Sequence, residues 1–209
     1  RVTGFDLRDA ERAMSLNSRS GQFAATPIST GQLWEHLEHF LRELVPVAEA
    51  AGVTLVMHPD DPPLPEFCGM ARIMNSVENF ERLVSLVPSS RNAICFCQGA
   101  FATMGVDIPA AIRRLGRHIQ CVHFRDVRGN AESFVETFHD NGPTDMAAAV
   151  RALREIGFDG PIRPDHVPQL EGEDSGEPGY TMLGRLFAFG YIRGLLHGTA
   201  ANVQTTNGI

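Results

Sequence analysis

No apolar run in this chain is long enough to span a bilayer, which argues against a membrane partner. The first residues, Arg1-Val-Thr-Gly-Phe-Asp-Leu-Arg8, hold no signal-peptide core and no initiator Met. A processed chain, or a stretch of a longer one, is the expectation. Basic residues are outnumbered, 18 against 25 acidic, for a formal net charge of −7. With no basic stripe interleaved with aromatics, a general nucleic-acid surface is not expected. Cysteine is scarce: Cys68, Cys95, Cys97 and Cys121 make no disulfide framework, and three of them lie in apolar strand-like runs, as reduced cytosolic thiols do. The cytoplasm is the expected compartment. There is no Walker-type loop, no G-x-G-x-x-G after a strand and no G-x-S-x-G elbow. Nucleotide-dependent and serine-hydrolase chemistries are therefore unsupported.

What is present is an ordinary globular composition, 43% apolar and 21% charged over 209 residues, enough for one domain with a substantial core. Residues 1–30 read as a polar arm or loop after a short helical start, 31–198 as the folded domain, and 199–209 as a tail. Thr30 is expected to cap a helix from Gln32 to Ala51, with Leu33, Leu37, Phe40, Leu41, Leu44 and Val47 as its buried stripe and Gly52 as its stop. Strand 54–58 follows, its non-alternating apolar run predicting burial on both faces. A Pro-rich loop then leads to helix 77–87, opened by Ser76. Strand 92–97, a Gly-containing loop, helix 107–116 and strand 119–124 come next. A loop to 142, helix 144–156, strand 160–164, an acidic Gly-rich loop 167–179 and a last helix 180–197 complete the chain. Strands alternating with helices predict an α/β fold with a parallel sheet.

Four of these strands end in a candidate metal donor: Thr54-Leu-Val-Met-His58, Ala93-Ile-Cys-Phe-Cys97, Ile119-Gln-Cys-Val-His123 and Pro161-Ile-Arg-Pro-Asp165. In a barrel of parallel strands the chemistry sits at the strand C-termini, so four such ends would aim four donors at one point. Each residue has a plainer reading. His58-Pro-Asp-Asp-Pro-Pro63 is also a stiff turn with Asp60 and Asp61 solvated. Cys97 is also a small buried hydrophobe, and Arg125 could pair with Asp126 on the surface. His123 and Arg125, two apart, face one way. Asp165 and His166 face different ways, so that one can bind metal while the other moves a proton. Arg163 shares the Asp165 side. His139 lies in a loop near the same mouth, and Tyr180 follows a loop bearing Gly172, Gly176 and Gly179.

Together, His58-Pro-Asp-Asp-Pro-Pro63, Phe96-Cys97-Gln-Gly99, His123-Phe-Arg125, Phe134…Glu136…His139-Asp-Asn-Gly142, Arg163-Pro-Asp-His166 and Gly179-Tyr180 resemble the mannonate dehydratase family in order and spacing, from about residue 31 to 198. That family is a branch of the metal-dependent TIM barrels related to xylose isomerase. The resemblance implies a (β/α)8 barrel, of which only the C-terminal half, about four βα units, is expected here. It implies a hydro-lyase of hexuronate catabolism that converts D-mannonate to 2-dehydro-3-deoxy-D-gluconate with one Mn²⁺ or Fe²⁺. Carried over by motif, His58, Cys97, His123 and Asp165 would ligate the metal, and His166 and Tyr180 would be the acid/base residues. Arg125, His139, Asp60 and Arg163 would contact substrate. A homodimer, with no nucleic-acid or membrane partner, is the expected assembly. The chain departs from the family's usual residues at Leu64, Met70-Ala71, Ala100, Asp126, Val135 and Val167. The metal set therefore matches more closely than the substrate shell. A sugar isomerase or epimerase of the same superfamily, and a non-catalytic barrel fragment, are the competing readings.

Overall fold

Four parallel strands carry the site. The structure, a computed structural model, describes residues 1–18 and 27–200. Residues 19–26 of the expected arm and 201–209 of the expected tail lie outside the described residues. The chain opens with β1 (Gly4–Asp6), α1 (Leu7–Ser18) and α2 (Thr30–Ala51), then β2 (Leu55–Met57), the hairpin β3 (Glu66–Phe67) and β4 (Met70–Ala71), and α3 (Val77–Leu86). It continues through β5 (Asn92–Cys97), α4 (Gln98–Thr103), α5 (Ile108–Leu115), β6 (Ile119–Phe124), the hairpin β7 (Val127–Asn130) and β8 (Ser133–Glu136), α6 (Met146–Glu155), β9 (Ile162–Pro164) and α7 (Met182–Gly198). The parallel sheet runs β2-β5-β6-β9 in chain order, as consecutive βα units do.

Alternation assigns the two faces of this sheet. Ile94, Phe96, Val122 and Phe124 point toward the helices, where they join Phe80, Leu83, Phe101 and Ile112 in one core. The opposite face carries Val56, His58, Cys95, Cys97, Cys121, His123, Arg163 and Asp165. Helix starts follow the expected chemistry. Ser76 and Asp107 accept from Asn79 N and Ala110 N, each closing an N-terminus. Gly52 ends α2 in the left-handed conformation that costs glycine little.

Several expectations change. The cap of α2 is Ser29, not Thr30: Ser29 and Gln32 form a reciprocal capping box, which satisfies two backbone donors at once. Its buried stripe is Trp34, Leu41, Val45 and Ala48, while Phe40 and Val47 are exposed. Those two sit seven apart on the helix, on a line just off the core-facing stripe. Val56 is also exposed, at 38%, because β2 is an edge strand whose far face is open among the described residues. The start of the arm is structured. β1 pairs antiparallel with β8, a three-residue partner too short to show a period in sequence. The loop expected between β6 and α6 holds the β7–β8 hairpin, and the one after β5 holds α4.

Candidate active site

The four donors meet. Cys97 and His123 are register partners at the ends of β5 and β6, and His123 pairs with Arg163 on β9, two residues before Asp165. One ligand atom from each of His58, Cys97, His123 and Asp165 lies within 4.8 Å of the others. Asp165 Oδ2 is the hub, 3.8 Å from Cys97 Sγ and 3.8 Å from His123 Nδ1. His58 donates Nδ1–H to the carbonyl of Pro59 at 2.7 Å, since a carbonyl can only accept. Its Nε2 lone pair is thereby left free, the orientation a metal-binding histidine needs.

Arg125 organises the floor. It is 1% exposed and pairs with Asp61 and Glu136, and its Nε lies 3.4 Å from Asp165 Oδ2. Burial opposes its charge, but Cys97, Glu136, Asp61 and Asp165 outweigh that and raise its pKa. The surface pair with Asp126 does not form. Asp126 is buried and accepts instead from Val127 N, Thr144 N and Thr144 Oγ1. Gly99 makes room for the guanidinium, since a Cβ there would sit 2.6 Å from Arg125 Nε. Gly99→Ala should therefore lower stability by about 1–3 kcal/mol through overpacking, read as an earlier urea midpoint. An unchanged midpoint would show that Arg125 can move aside freely.

A hydrogen-bonded chain of titratable groups flanks the four residues. His166 Nε2 is 2.8 Å from the Tyr180 hydroxyl, and its Nδ1 is 3.0 Å from Glu136 Oε1 and 2.9 Å from Arg125 Nη1. Nδ1 either donates to Glu136, so that Nε2 accepts from Tyr180, or accepts from Arg125, so that Nε2 donates to Tyr180. Both tautomers are satisfied. Tyr180 reaches His166 because Val167 N bonds Gly179 O at 3.0 Å and closes the intervening loop. The third member, Glu136, sits at the end of β8, where its amide bonds Thr3 O at 2.9 Å.

The other candidates spread out. Arg163 is half exposed on the donor face, its Nη2 3.7 Å from Asp165 Oδ1. Asp60 is bound into its own loop, accepting from Arg72 at 3.1 Å and Met74 N at 2.8 Å. Asp61, its neighbour, is the one that reaches Arg125. His139 is buried behind β6 rather than at the mouth, with Nε2–H donating to Phe124 O at 2.6 Å. Burial, the largest influence, lowers its pKa from the ordinary 6.5. A histidine depressed in the folded state takes up its proton on unfolding. Its contribution to stability is therefore full above pH 6.5 and lost as pH falls below that value toward its folded pKa. The fall in urea midpoint on acidification should be shallower in His139→Gln than in the parent, and equal slopes would overturn this. One layer down, Cys95 and Cys121 stand side by side, and each bears on the other's thiol: Cys121 is lowered to about 7 and Cys95 is raised.

Known proteins resemble this chain. The sequence profile of the D-mannonate dehydratase (UxuA) family matches residues 6–206. The chain belongs to the mannonate dehydratase family. The mannonate dehydratase of Oceanobacillus iheyensis is 41% identical over 177 residues, which are 83% of this chain and 50% of that one. The mannonate dehydratase of Enterococcus faecalis is 36% identical over 197 residues, 92% of this chain and 54% of that one. The crystal structure of mannonate dehydratase from Streptococcus suis superposes with a TM-score of 0.80 at 34% identity, over 87% of this chain and 53% of that chain. An L-ribulose 3-epimerase structure matches at a TM-score of 0.63 and 18% identity, over 88% of this chain and 62% of that chain, a likeness of fold alone. The chain thus spans about half the length of the mannonate dehydratases it matches.

Sequence reasoning named neither Glu136 nor Asp61 as a site residue. Glu136 stood within a motif already singled out, and that motif was the available signal.

Proposed function

We propose that this chain is the C-terminal portion, about four βα units, of a (β/α)8 barrel that dehydrates D-mannonate or a related sugar acid to 2-dehydro-3-deoxy-D-gluconate or its counterpart. The convergence of four strand-end donors beside the Glu136–His166–Tyr180 chain carries this reading.

His58, Cys97, His123 and Asp165 would hold one divalent cation, Mn²⁺ or Fe²⁺. The residues fit such an ion. His123 Nδ1 is buried without a hydrogen-bond partner. Asp61, Glu136 and Asp165 converge on Arg125, and with Arg163 near Asp165 three carboxylates face two guanidinium groups, which leaves negative charge in excess. One thiolate among imidazoles and a carboxylate suits a borderline metal better than Mg²⁺. When bound, the cation supplies Lewis-acid stabilisation of the charge that develops on the substrate's carboxylate.

The chain's own groups handle protons and position. Dehydration removes the proton from the carbon bearing the carboxylate. The electron pair forms a double bond to the next carbon, and the hydroxyl there leaves with a proton as water. His166 and Tyr180 share one hydrogen bond, so one can take the first proton and the other can give the second. Glu136 and Arg125 act through His166, each favouring one tautomer. Arg163 is the half-exposed cation available to the substrate carboxylate. Asp60 acts by holding the loop that presents His58 and Asp61, and His139 supports the back of β6.

An epimerase needs a base on each side of the substrate carbon, and the described residues offer one such cluster. The chain also contains no lysine, so Schiff-base chemistry is closed to this stretch. The four thiols are free, which suits a reducing compartment, the cytoplasm. Among the described residues no helix is long and apolar enough to cross a membrane. A homodimer is the assembly to test by sedimentation, with a monomer's mass overturning it.

The deciding experiment loads the reduced chain with Mn²⁺, adds D-mannonate and follows the 2-keto-3-deoxy acid. Product that vanishes in Cys97→Ala and Asp165→Ala supports the reading. Absence of product in the parent chain overturns it as a self-sufficient enzyme and leaves the non-catalytic fragment or a different sugar acid.

A further inference from the structure

Below the four donors, the same face of the sheet carries two thiols that the proposed reaction does not use. Cys95 and Cys121 are register partners on β5 and β6. Each stands two residues before a donor of the upper set, and so on the same face as Cys97 and His123. The backbone creates this pairing through an irregularity between Ile94 and Cys95. Ile94 pairs with Ile119, and without the shift Cys95 would stand opposite Gln120, whose side chain faces the other way. One ligand atom from each of Cys95, Cys121 and His123 lies within 4.8 Å of the others. Both thiols are free. Cys95 is buried and Cys121 only half-buried, so the cluster is reachable from the donor face.

We propose that Cys95, Cys121 and His123 form a second site, for a thiophilic cation of the Zn²⁺, Cd²⁺ or Cu⁺ class, which competes with the four-residue centre for the His123 imidazole. The chemistry follows from the donors. The upper set offers one sulfur, two imidazoles and a carboxylate, and the lower offers two sulfurs and one imidazole. Softer ions prefer the sulfur-rich set. Binding replaces each S–H bond with a sulfur–metal bond and sends the proton to solvent, with no change of oxidation state. Two cations in donor sets this close would repel strongly in surroundings of low dielectric, so filling the lower site empties the upper. The competition rests on the proposed role of His123 as a donor in the upper set. Its consequence is that a thiophilic metal silences the centre without displacing Cys97 or Asp165 from their places.

The test titrates the reduced full chain, under argon, with Cd²⁺ and reads the sulfur-to-cadmium charge-transfer absorbance per cadmium bound. The parent should show the intensity of two thiolates, Cys97→Ala should keep it, and Cys121→Ser should fall to about half. The parent showing one-thiolate intensity, lost in Cys97→Ala and unchanged in Cys121→Ser, would put cadmium in the upper set and overturn the proposal. In parallel, the electron paramagnetic resonance of free Mn²⁺ reports the upper set. Cadmium should release Mn²⁺ from the parent, and Cys121→Ser should bind Mn²⁺ as the parent does but yield less of it to cadmium. Mn²⁺ that cadmium fails to displace from the parent overturns the competition. A two-thiolate cadmium spectrum in a chain that takes up no Mn²⁺ upholds the lower site and counts against the four-residue centre alone.

Discussion

Under the proposed function, His166→Gln should lower kcat by about 10²–10⁴-fold, the range typical of a lost general acid or base. The amide cannot gain and lose a proton in the working range. It can still fill the space between Glu136 and the Tyr180 hydroxyl, which lie 3.0 and 2.8 Å from the two ring nitrogens. Mn²⁺ uptake should be unaffected, because His166 is not among the four converging donors. Tyr180→Phe should cost a comparable factor. The double variant should be little worse than either single one, since residues that act as a unit do not add. Glu136→Gln separates positioning from direct chemistry. It leaves His166 in place and removes the carboxylate that favours the Nδ1–H tautomer, so the pH–rate profile should shift while KM changes little. Activity retained in His166→Gln, with Mn²⁺ bound, would remove His166 from the proton-transfer step.

Arg125→Met should destabilise the fold by about 3–5 kcal/mol, the cost of removing one partner from a buried ionic cluster. The side chain is 1% exposed, and Glu136, one of its partners, is 2% exposed in its side chain. Methionine fills the volume but leaves Glu136 and Asp61 without their shared counter-charge. Arg125→Lys should recover only part of the loss. An ammonium cannot span Asp61, Glu136 and Asp165 as the planar fork does. Urea unfolding measures the effect. A loss below about 1 kcal/mol, the scale of an exposed pair, would mean that solvent reaches the cluster freely.

The frame of this molecule could be read directly from its residues wherever one local rule decided the outcome. Asn92–Cys97 and Ile119–Phe124 are strands with the bounds expected, because β-branched and aromatic residues there run between clear stop signals. Asp107 with Pro109, and Ser76, announced their helices. The four candidate donors could be picked out because each stands at or beside a strand end. What escaped depends on partners distant in the chain. The three residues of β1 become a strand only by pairing with β8, more than a hundred positions away. Whether Asp60 or Asp61 reaches Arg125 depends on how the loop after β2 folds back onto Arg72 and Met74. His139 looked like a mouth residue because a polar ring in a loop is usually solvated. The carbonyl of Phe124 turns it inward.

Arg125 also bears on how the chain folds. Its partners come from the loop after β2, from β8 and from the end of β9, three segments well separated along the chain. An intermediate that had packed β6 against β5 but lacked one of these pieces would hold a dehydrated guanidinium short of a counter-ion. Such half-built forms are raised in energy relative to both the open chain and the finished one. The guanidinium therefore acts as a coincidence detector in assembly. It favours states in which all three carboxylates have arrived, and works against forms that lack one of them.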